Sequence, residues 1–129
     1  HALTENPEAK DLSANIMNLA ADFIAAGLNP KKSTIFVQSQ VPGTDKLTWI
    51  FNTIAPFGEV GRMTQFKEKS SGKESFNVGL FTYPLLMAAD ILLYDAKFVP
   101  VGHDQLQHLE LARTLARKFN KKFGKTFTP

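Results

Sequence analysis

The segment Val99-Pro100-Val101-Gly102-His103-Asp104-Gln105 decides the fold that the sequence predicts. It continues a short apolar run, residues 98–101, whose composition is typical of a strand buried inside a sheet, and Gly102 then turns the chain. The amphipathic pattern that follows predicts a helix over residues 106–119. A strand that leads through a glycine turn into a helix indicates an α/β protein with a parallel sheet.

The same alternation of strand and helix runs through the rest of the chain. Apolar side chains at helical spacing predict helices over residues 7–26, 45–54 and 80–94. Residues 34–38 are β-branched and apolar and predict a second short strand. Residues 67–75 are polar throughout and predict a mobile loop. No linker is long enough to divide the chain, so we expect one domain or a piece of one.

The composition bounds the function of the chain. Its 129 residues are 43% apolar, which is enough for one packed core, and its net charge of +3 is too small to indicate nucleic-acid binding by itself. Without cysteine it has no disulfide or thiolate site, and its three histidines lack metal-ligand spacing. With no leader and no membrane-length apolar run, a cytoplasmic protein is expected. The first residue, His1, and the approach to Pro129 indicate that both ends were cut from something longer.

Asp90 is the only charged residue between Leu80 and Tyr94. Met87 precedes it by three positions and Tyr83 by seven, so at about 100° per residue the three side chains share one helix face. A hydroxyl, a thioether and a carboxylate together suit a pocket for a flat ligand that carries a ring N–H or an amine. The alternative is that Asp90 bonds a backbone N–H or an arginine while Met87 belongs to the core.

The turn at residues 102–105 is the second candidate site. Polar ligands bind beyond the carboxyl ends of parallel strands and at helix N-termini. Gly102 would let a ligand approach the backbone, Asp104 would accept a hydrogen bond from a ribose hydroxyl or an ammonium, and Gln105 would do either. The alternative is that Asp104 only caps the following helix.

Six cations with no acid between them lie near the end of the chain. Such a run is consistent with a surface that faces phosphate or tRNA. The alternative is a solvated helix face whose positive charges complement the C-terminal end of the helix dipole. The six residues are Arg113, Arg117, Lys118, Lys121, Lys122 and Lys125.

Several segments closely resemble the bacterial tryptophanyl-tRNA synthetases, and the resemblance runs the whole length of the chain. The opening His1-Ala2-Leu3-Thr4 matches the His-Ala that follows an early strand in that family. The resemblance implies that residues 1–129 are the central part of a Rossmann-type class I catalytic domain, without the preceding HIGH-type signature and the following KMSKS loop. The other segments that carry it are Arg62-Met63-Thr64-Gln65-Phe66-Lys67-Glu68-Lys69-Ser70, Thr82-Tyr83-Pro84-Leu85-Leu86-Met87-Ala88-Ala89-Asp90, the 99–105 segment and Gln107-His108-Leu109-Glu110.

The resemblance implies a tryptophan site on the 80–94 helix. Asp90 would accept the indole N–H, and Met87 would pack on the ring. Tyr83 and Gln105 would hold the α-ammonium group, with Gln65 nearby.

The resemblance also implies an ATP site at the turn. Gly102, His103 and Asp104 would line it, and Lys69 would be the catalytic residue that reaches the phosphates. His103 stands where the family usually has an acidic residue, so a backbone contact is what the resemblance implies there.

The implied reaction is that of a tryptophan–tRNA ligase in protein biosynthesis. The tryptophan carboxylate would attack the α-phosphorus of ATP, and the tryptophanyl group would then pass to tRNA(Trp). Mg²⁺ would arrive with ATP, the parent protein would be a homodimer, and residues 1–129 alone would be inactive. The alternatives are a non-catalytic tryptophan-binding or structural module, or a relative of tyrosyl-tRNA synthetase.

Overall fold

A computed structural model describes residues 1–63 and 77–129 of the chain. They form two compact units, Ala2–Pro42 and a larger unit that consists of His1 with Gly43–Pro129. Every predicted site residue that the structure describes belongs to the larger unit.

The smaller unit is built around helix α1, Ala9–Ala25, which confirms the helix predicted over residues 7–26. Short 3₁₀ turns lie at Ala2–Glu5 and Gln38–Gln40. After α1 the chain turns at Gly27, whose φ of 99° favours glycine. The predicted apolar stripe forms, but α1 has no buried residue.

The two predicted strands, residues 34–38 and 98–101, are not formed among the described residues, so the parallel sheet is not confirmed. The backbone is extended at Val37 inside the first segment (φ −86°, ψ 118°) and at Gly102 just after the second (φ −66°, ψ 159°). A strand also needs hydrogen bonds to a neighbouring strand. β-Branched composition favours extended backbone, but it does not supply that neighbour within the part of the chain described.

The larger unit is helical in its described part, and its helices confirm those predicted at 45–54, 80–94 and 106–119, with shifted ends. None of the helices described is long and apolar enough to cross a membrane. In chain order they are α2 (Thr44–Ile54), α3 (Phe57–Gly61), α4 (Val78–Leu92), the 3₁₀ turn η3 (His103–Gln105) and α5 (Leu106–Phe123).

The core lies where α2, α4 and α5 pack together. Phe51 of α2 and Leu115 of α5 are fully buried at its centre. The alanines Ala88 and Ala89 of α4 are buried in the same cluster and leave room for the larger neighbours. This packing places α4 beside α5 and therefore brings the two predicted sites near each other.

Helix α4 begins two residues earlier than predicted because Asn77 caps it. The Asn77 Oδ1 atom accepts a hydrogen bond from the Leu80 N–H at 3.0 Å. Pro84 therefore lies in the second turn of α4. Proline has no N–H to continue the helical hydrogen bonds, but its ring is buried in the core.

Candidate functional site

His1 joins two of the predicted site residues on α4. Its Nε2 atom lies 3.0 Å from Asp90 Oδ2, and its ring stands edge-on to the Tyr83 ring with centroids 6.0 Å apart. Because one imidazole reaches both side chains, Tyr83 and Asp90 lie on the same side of α4, as their spacing predicts. Met87 lies one turn from each of them and is half-buried.

One partner of Asp90 is a histidine, whereas the alternative interpretation expected a backbone N–H or an arginine. The Asp90 and His1 side chains are 28% and 39% exposed, so the pair is open to solvent. A surface pair as exposed as this contributes about 0–1 kcal/mol to stability even when both groups are charged. The contact with His1 therefore adds little to stability, and the Asp90 carboxylate is partly exposed to solvent.

Tyr83 lies between the exposed pair and a buried histidine on α5. Its hydroxyl is 3.1 Å from His108 Nε2, and the two rings are 5.5 Å apart at an angle of 32°. Burial, and to a smaller extent the Asp104 carboxylate, raise the pKa of the Tyr83 phenol. The phenol is therefore uncharged at neutral pH and serves as a hydrogen-bonding group.

The turn at η3 is organised around Asp104. Its Oδ2 atom accepts a hydrogen bond from the Gln105 side-chain amide at 2.7 Å. A Cβ atom on Gly102 would lie 2.6 Å from Asp104 Oδ1, so the carboxylate occupies the space beside the glycine. The φ of −66° at Gly102 is ordinary, and it is this close approach that favours glycine there.

The interpretation of Asp104 as the helix cap is wrong. Asp104 lies inside η3, and the N-cap of α5 is Gln105, whose side chain makes no capping hydrogen bond. The Asp104 charge instead acts on Tyr83, whose pKa it helps to raise. The structure thus brings the turn and the Tyr83 end of the α4 face together, while His103 is exposed.

Two of the predicted site residues, Gln65 and Lys69, lie outside the described residues, as does the predicted loop at 67–75. Their roles stay predictions.

Sequence reasoning missed two residues of this cluster, His1 and His108. In the sequence they appear only as histidines without metal-ligand spacing, and each lies in a segment that carries the family resemblance. His108 follows Asp104 by four positions, so helical spacing places it on the same side of the chain as the turn. His1 offered no such signal, because 89 positions separate it from Asp90.

Three of the predicted cations form a stripe along α5. Arg113, Arg117 and Lys121 are spaced by four residues, are exposed, and point away from the buried face that contains Leu115. Glu110, the one acid within α5, pairs with Arg113 at 2.6 Å. We call these three residues the α5 cation stripe.

A separate groove of about 460 Å³ lies beyond the C-terminal end of α4. Residues 95–99 form one side of it, and Leu109 and Arg113 of α5 contribute to the other. Among the predicted tryptophan and ATP contacts that the structure describes, none lines this groove. We therefore place the candidate site at the His1, Tyr83 and Asp90 cluster.

Comparison with known proteins gives one consistent family. A family model described as class I tRNA synthetases (W and Y) matches residues 1–129. The tryptophan–tRNA ligase of Caldanaerobacter subterraneus is 59% identical over 127 residues, which is 98% of this chain and 39% of the relative. The tryptophan–tRNA ligase of Bacillus subtilis is 54% identical over 128 residues, 99% of this chain and 39% of that protein.

Solved structures agree with the sequence matches. Tryptophanyl-tRNA synthetase from Campylobacter jejuni, complexed with ADP and tryptophan, superposes with a TM-score of 0.94 at 43% identity over 99% of this chain and 40% of its own. The synthetase from Mycoplasma pneumoniae gives a TM-score of 0.95 at 38% identity, with 99% and 39% coverage. The chain thus spans about 39% of the length of the curated relatives it matches.

Proposed function

Because this chain belongs to the class I tRNA synthetases of the tryptophan and tyrosine type, we propose that the complete protein containing it is a tryptophan–tRNA ligase. In the first step the tryptophan carboxylate attacks the α-phosphorus of ATP and releases pyrophosphate. In the second step the tryptophanyl group passes from the adenylate to a terminal ribose hydroxyl of tRNA(Trp).

The observation that supports this proposal most directly is the contact of His1 with both Asp90 and Tyr83. It places a carboxylate and a phenol on one side of α4, with Met87 between them in the helical register. In the proposal, Asp90 accepts the indole N–H, and Met87 packs on the indole ring. Tyr83 then holds the α-ammonium group at the other end of the ligand.

The remaining tryptophan contacts come from outside α4. In the proposal, Gln105 joins Tyr83 at the α-ammonium group, and Gln65 is a further contact that the family resemblance implies. The identity of 59% to a tryptophan–tRNA ligase favours tryptophan over tyrosine as the amino acid.

The ATP contacts in this proposal are Gly102, His103 and Asp104, with Lys69 as the catalytic residue at the phosphates. His103 contributes through its backbone. Attack on phosphorus by the substrate's own carboxylate needs positioning and charge stabilisation and no protein nucleophile. The relative that was solved with ADP and tryptophan supports a site for an adenine nucleotide beside the amino acid.

Mg²⁺ enters this proposal as an ion carried by ATP. Within residues 1–63 and 77–129, no group of three His, Cys, Asp or Glu side chains could hold a metal. A metal held mainly by phosphate oxygens and water fits this donor set. When bound, it would neutralise charge on the triphosphate.

The proposal also includes a cytoplasmic homodimer in which residues 34–38 and 98–101 join the Rossmann sheet of the complete catalytic domain. Four large apolar side chains of the larger unit are exposed and available for such contacts. Trp49, Phe57, Val78 and Phe98 are each more than 70% exposed.

The complete polypeptide is expected to exchange pyrophosphate into ATP when tryptophan is present. Exchange isolates the first step, so it reports on the proposed amino acid without tRNA. Tyrosine at the same concentration serves as the control. Exchange that depends on tyrosine, or exchange with neither amino acid, would contradict the proposal.

The α5 cation stripe is expected to contact tRNA phosphates. Replacing Arg117 and Lys121 together by Gln should raise the KM for tRNA(Trp) and leave pyrophosphate exchange unchanged. The dependence of log affinity on log salt should flatten by about 0.7–0.9 for each phosphate that the protein no longer neutralises. The control is Lys46→Gln, which removes an exposed cation of α2. An equal effect in Lys46→Gln would favour the alternative that the stripe is a solvated helix face.

A further inference from the structure

His108 is a buried polar residue that has no role in the reaction proposed above. It is 1% exposed and sits in the first turn of α5. Its Nε2 atom is 3.1 Å from the Tyr83 hydroxyl, and its ring lies beside the phenol ring at 5.5 Å. The Tyr83 hydroxyl is thus held from the core side by an imidazole, while the exposed His1 ring meets the phenol edge-on.

The direction of the hydrogen bond between these two side chains decides whether both lone pairs of the Tyr83 oxygen stay available to a ligand. An ammonium group has only donors, so a hydroxyl that binds it must present an oxygen lone pair. The hydroxyl proton must then go to another acceptor. His108 Nε2 is at the right distance to be that acceptor when the imidazole is neutral and carries its proton on Nδ1.

The charges around the phenol fit this direction. Burial and the Asp104 carboxylate both favour the protonated phenol, which is the form that can donate. The Asp104 carboxylate lies in η3, directly before α5, and accepts a hydrogen bond from the Gln105 side-chain amide. A negative charge near the phenol oxygen also favours a cation there.

We propose that His108 is a positioning residue that accepts the Tyr83 hydroxyl proton at Nε2 and so leaves the phenol oxygen as an acceptor for the ligand's α-ammonium group. This inference rests on the proposed function, because it takes the Tyr83 ligand to be an amino acid. It adds one requirement beyond the ligand contacts. His108, which the ligand does not touch, must be in the tautomer that carries its proton on Nδ1.

The test compares ligands with and without the ammonium group on the complete polypeptide. Tryptamine keeps the indole and the ammonium, whereas indole-3-propionate keeps the indole and the carboxylate only. His108→Leu should raise the KM for tryptophan and the dissociation constant of tryptamine about tenfold, since a hydrogen bond to a charged group is weakened. The dissociation constant of indole-3-propionate should change less than twofold.

Two further variants separate positioning from packing. His108→Gln keeps an acceptor oxygen near the position of Nε2 and should restore most of the tryptamine affinity. Leu115→Val loosens the core about two helical turns beyond His108 on α5 and should affect the three ligands equally. In a Tyr83→Phe background, His108→Leu should have no further effect on tryptamine, because the two residues act through one hydroxyl.

An equal loss for all three ligands in His108→Leu would overturn the inference and leave His108 as a packing residue. If that variant does not fold, the ¹⁵N chemical shifts of His108 in the wild-type protein decide the matter, because they distinguish the two tautomers. A proton on Nε2 with tryptamine bound would overturn the inference. Ligand affinities are measured by calorimetry, so the absence of pyrophosphate exchange would count against the proposed function alone.

Discussion

Residues 1–129 produced alone are expected to give no tryptophan-dependent exchange of pyrophosphate into ATP. The complete polypeptide should give a strong signal under the same conditions. The physical reason is that, as the family resemblance implies, the HIGH-type and KMSKS segments that would clamp the triphosphate in its reactive geometry lie outside residues 1–129. Losing a single transition-state donor can cost about 10²–10³ in rate, and here two whole elements are missing.

The control for this prediction is calorimetric binding of tryptophan to the same preparation. The proposed tryptophan contacts on α4 are present in residues 1–129, so weak binding is compatible with the absence of exchange. Exchange that scaled with the concentration of residues 1–129 and disappeared in Asp104→Ala would contradict the prediction that catalysis requires segments outside residues 1–129.

Asp90→Asn in the complete polypeptide is expected to keep the fold and to weaken selection for tryptophan by about tenfold or more. The amide oxygen can still accept one hydrogen bond from the indole, but the negative charge that strengthens the bond is gone. Hydrogen bonds to charged groups contribute about 1.5–3 kcal/mol, of which roughly 1.4 kcal/mol corresponds to tenfold. The measurement is kcat/KM in pyrophosphate exchange for tryptophan against tyrosine and phenylalanine.

Asp95→Asn is the matched control for this substitution. Asp95 is exposed just beyond α4 and has a φ of 48°, a conformation that asparagine also tolerates. It removes the same charge from the same region without touching His1 or Tyr83, so discrimination should be unchanged. Equal kinetics for wild type and Asp90→Asn would reduce Asp90 to a surface partner of His1.

The helices were predictable from local pattern because the interactions that start and stop them are local. Apolar spacing located α1, α2, α4 and α5, and their ends shifted where a cap was not recognised. Asn77 moved the start of α4 to Val78 because its side chain bonds the Leu80 N–H three residues later. Helical register also placed Tyr83, Met87 and Asp90 on one face, since it follows from about 3.6 residues per turn.

The strands were a different problem, because a strand depends on its neighbour as well as on its own residues. Residues 34–38 and 98–101 have the composition of buried strands, yet neither pairs within the part of the chain described. Hydrogen bonds between strands join residues that are distant in sequence, and composition carries no record of them. The parallel sheet that composition predicted is therefore not confirmed, whereas the synthetase family that the resemblance implied is confirmed by the comparisons.

Within the candidate site, too, local features could be predicted from the sequence, whereas contacts between distant residues required the folded chain. The Tyr83, Met87 and Asp90 face follows from helix geometry alone. The contact of His1 with Asp90 spans 89 positions, and the contact of His108 with Tyr83 spans 25. The second depends on how α4 packs against α5, which is decided by the whole core and not by any local pattern. Tertiary packing thus brings two histidines, to which the sequence assigned no role, into contact with Tyr83.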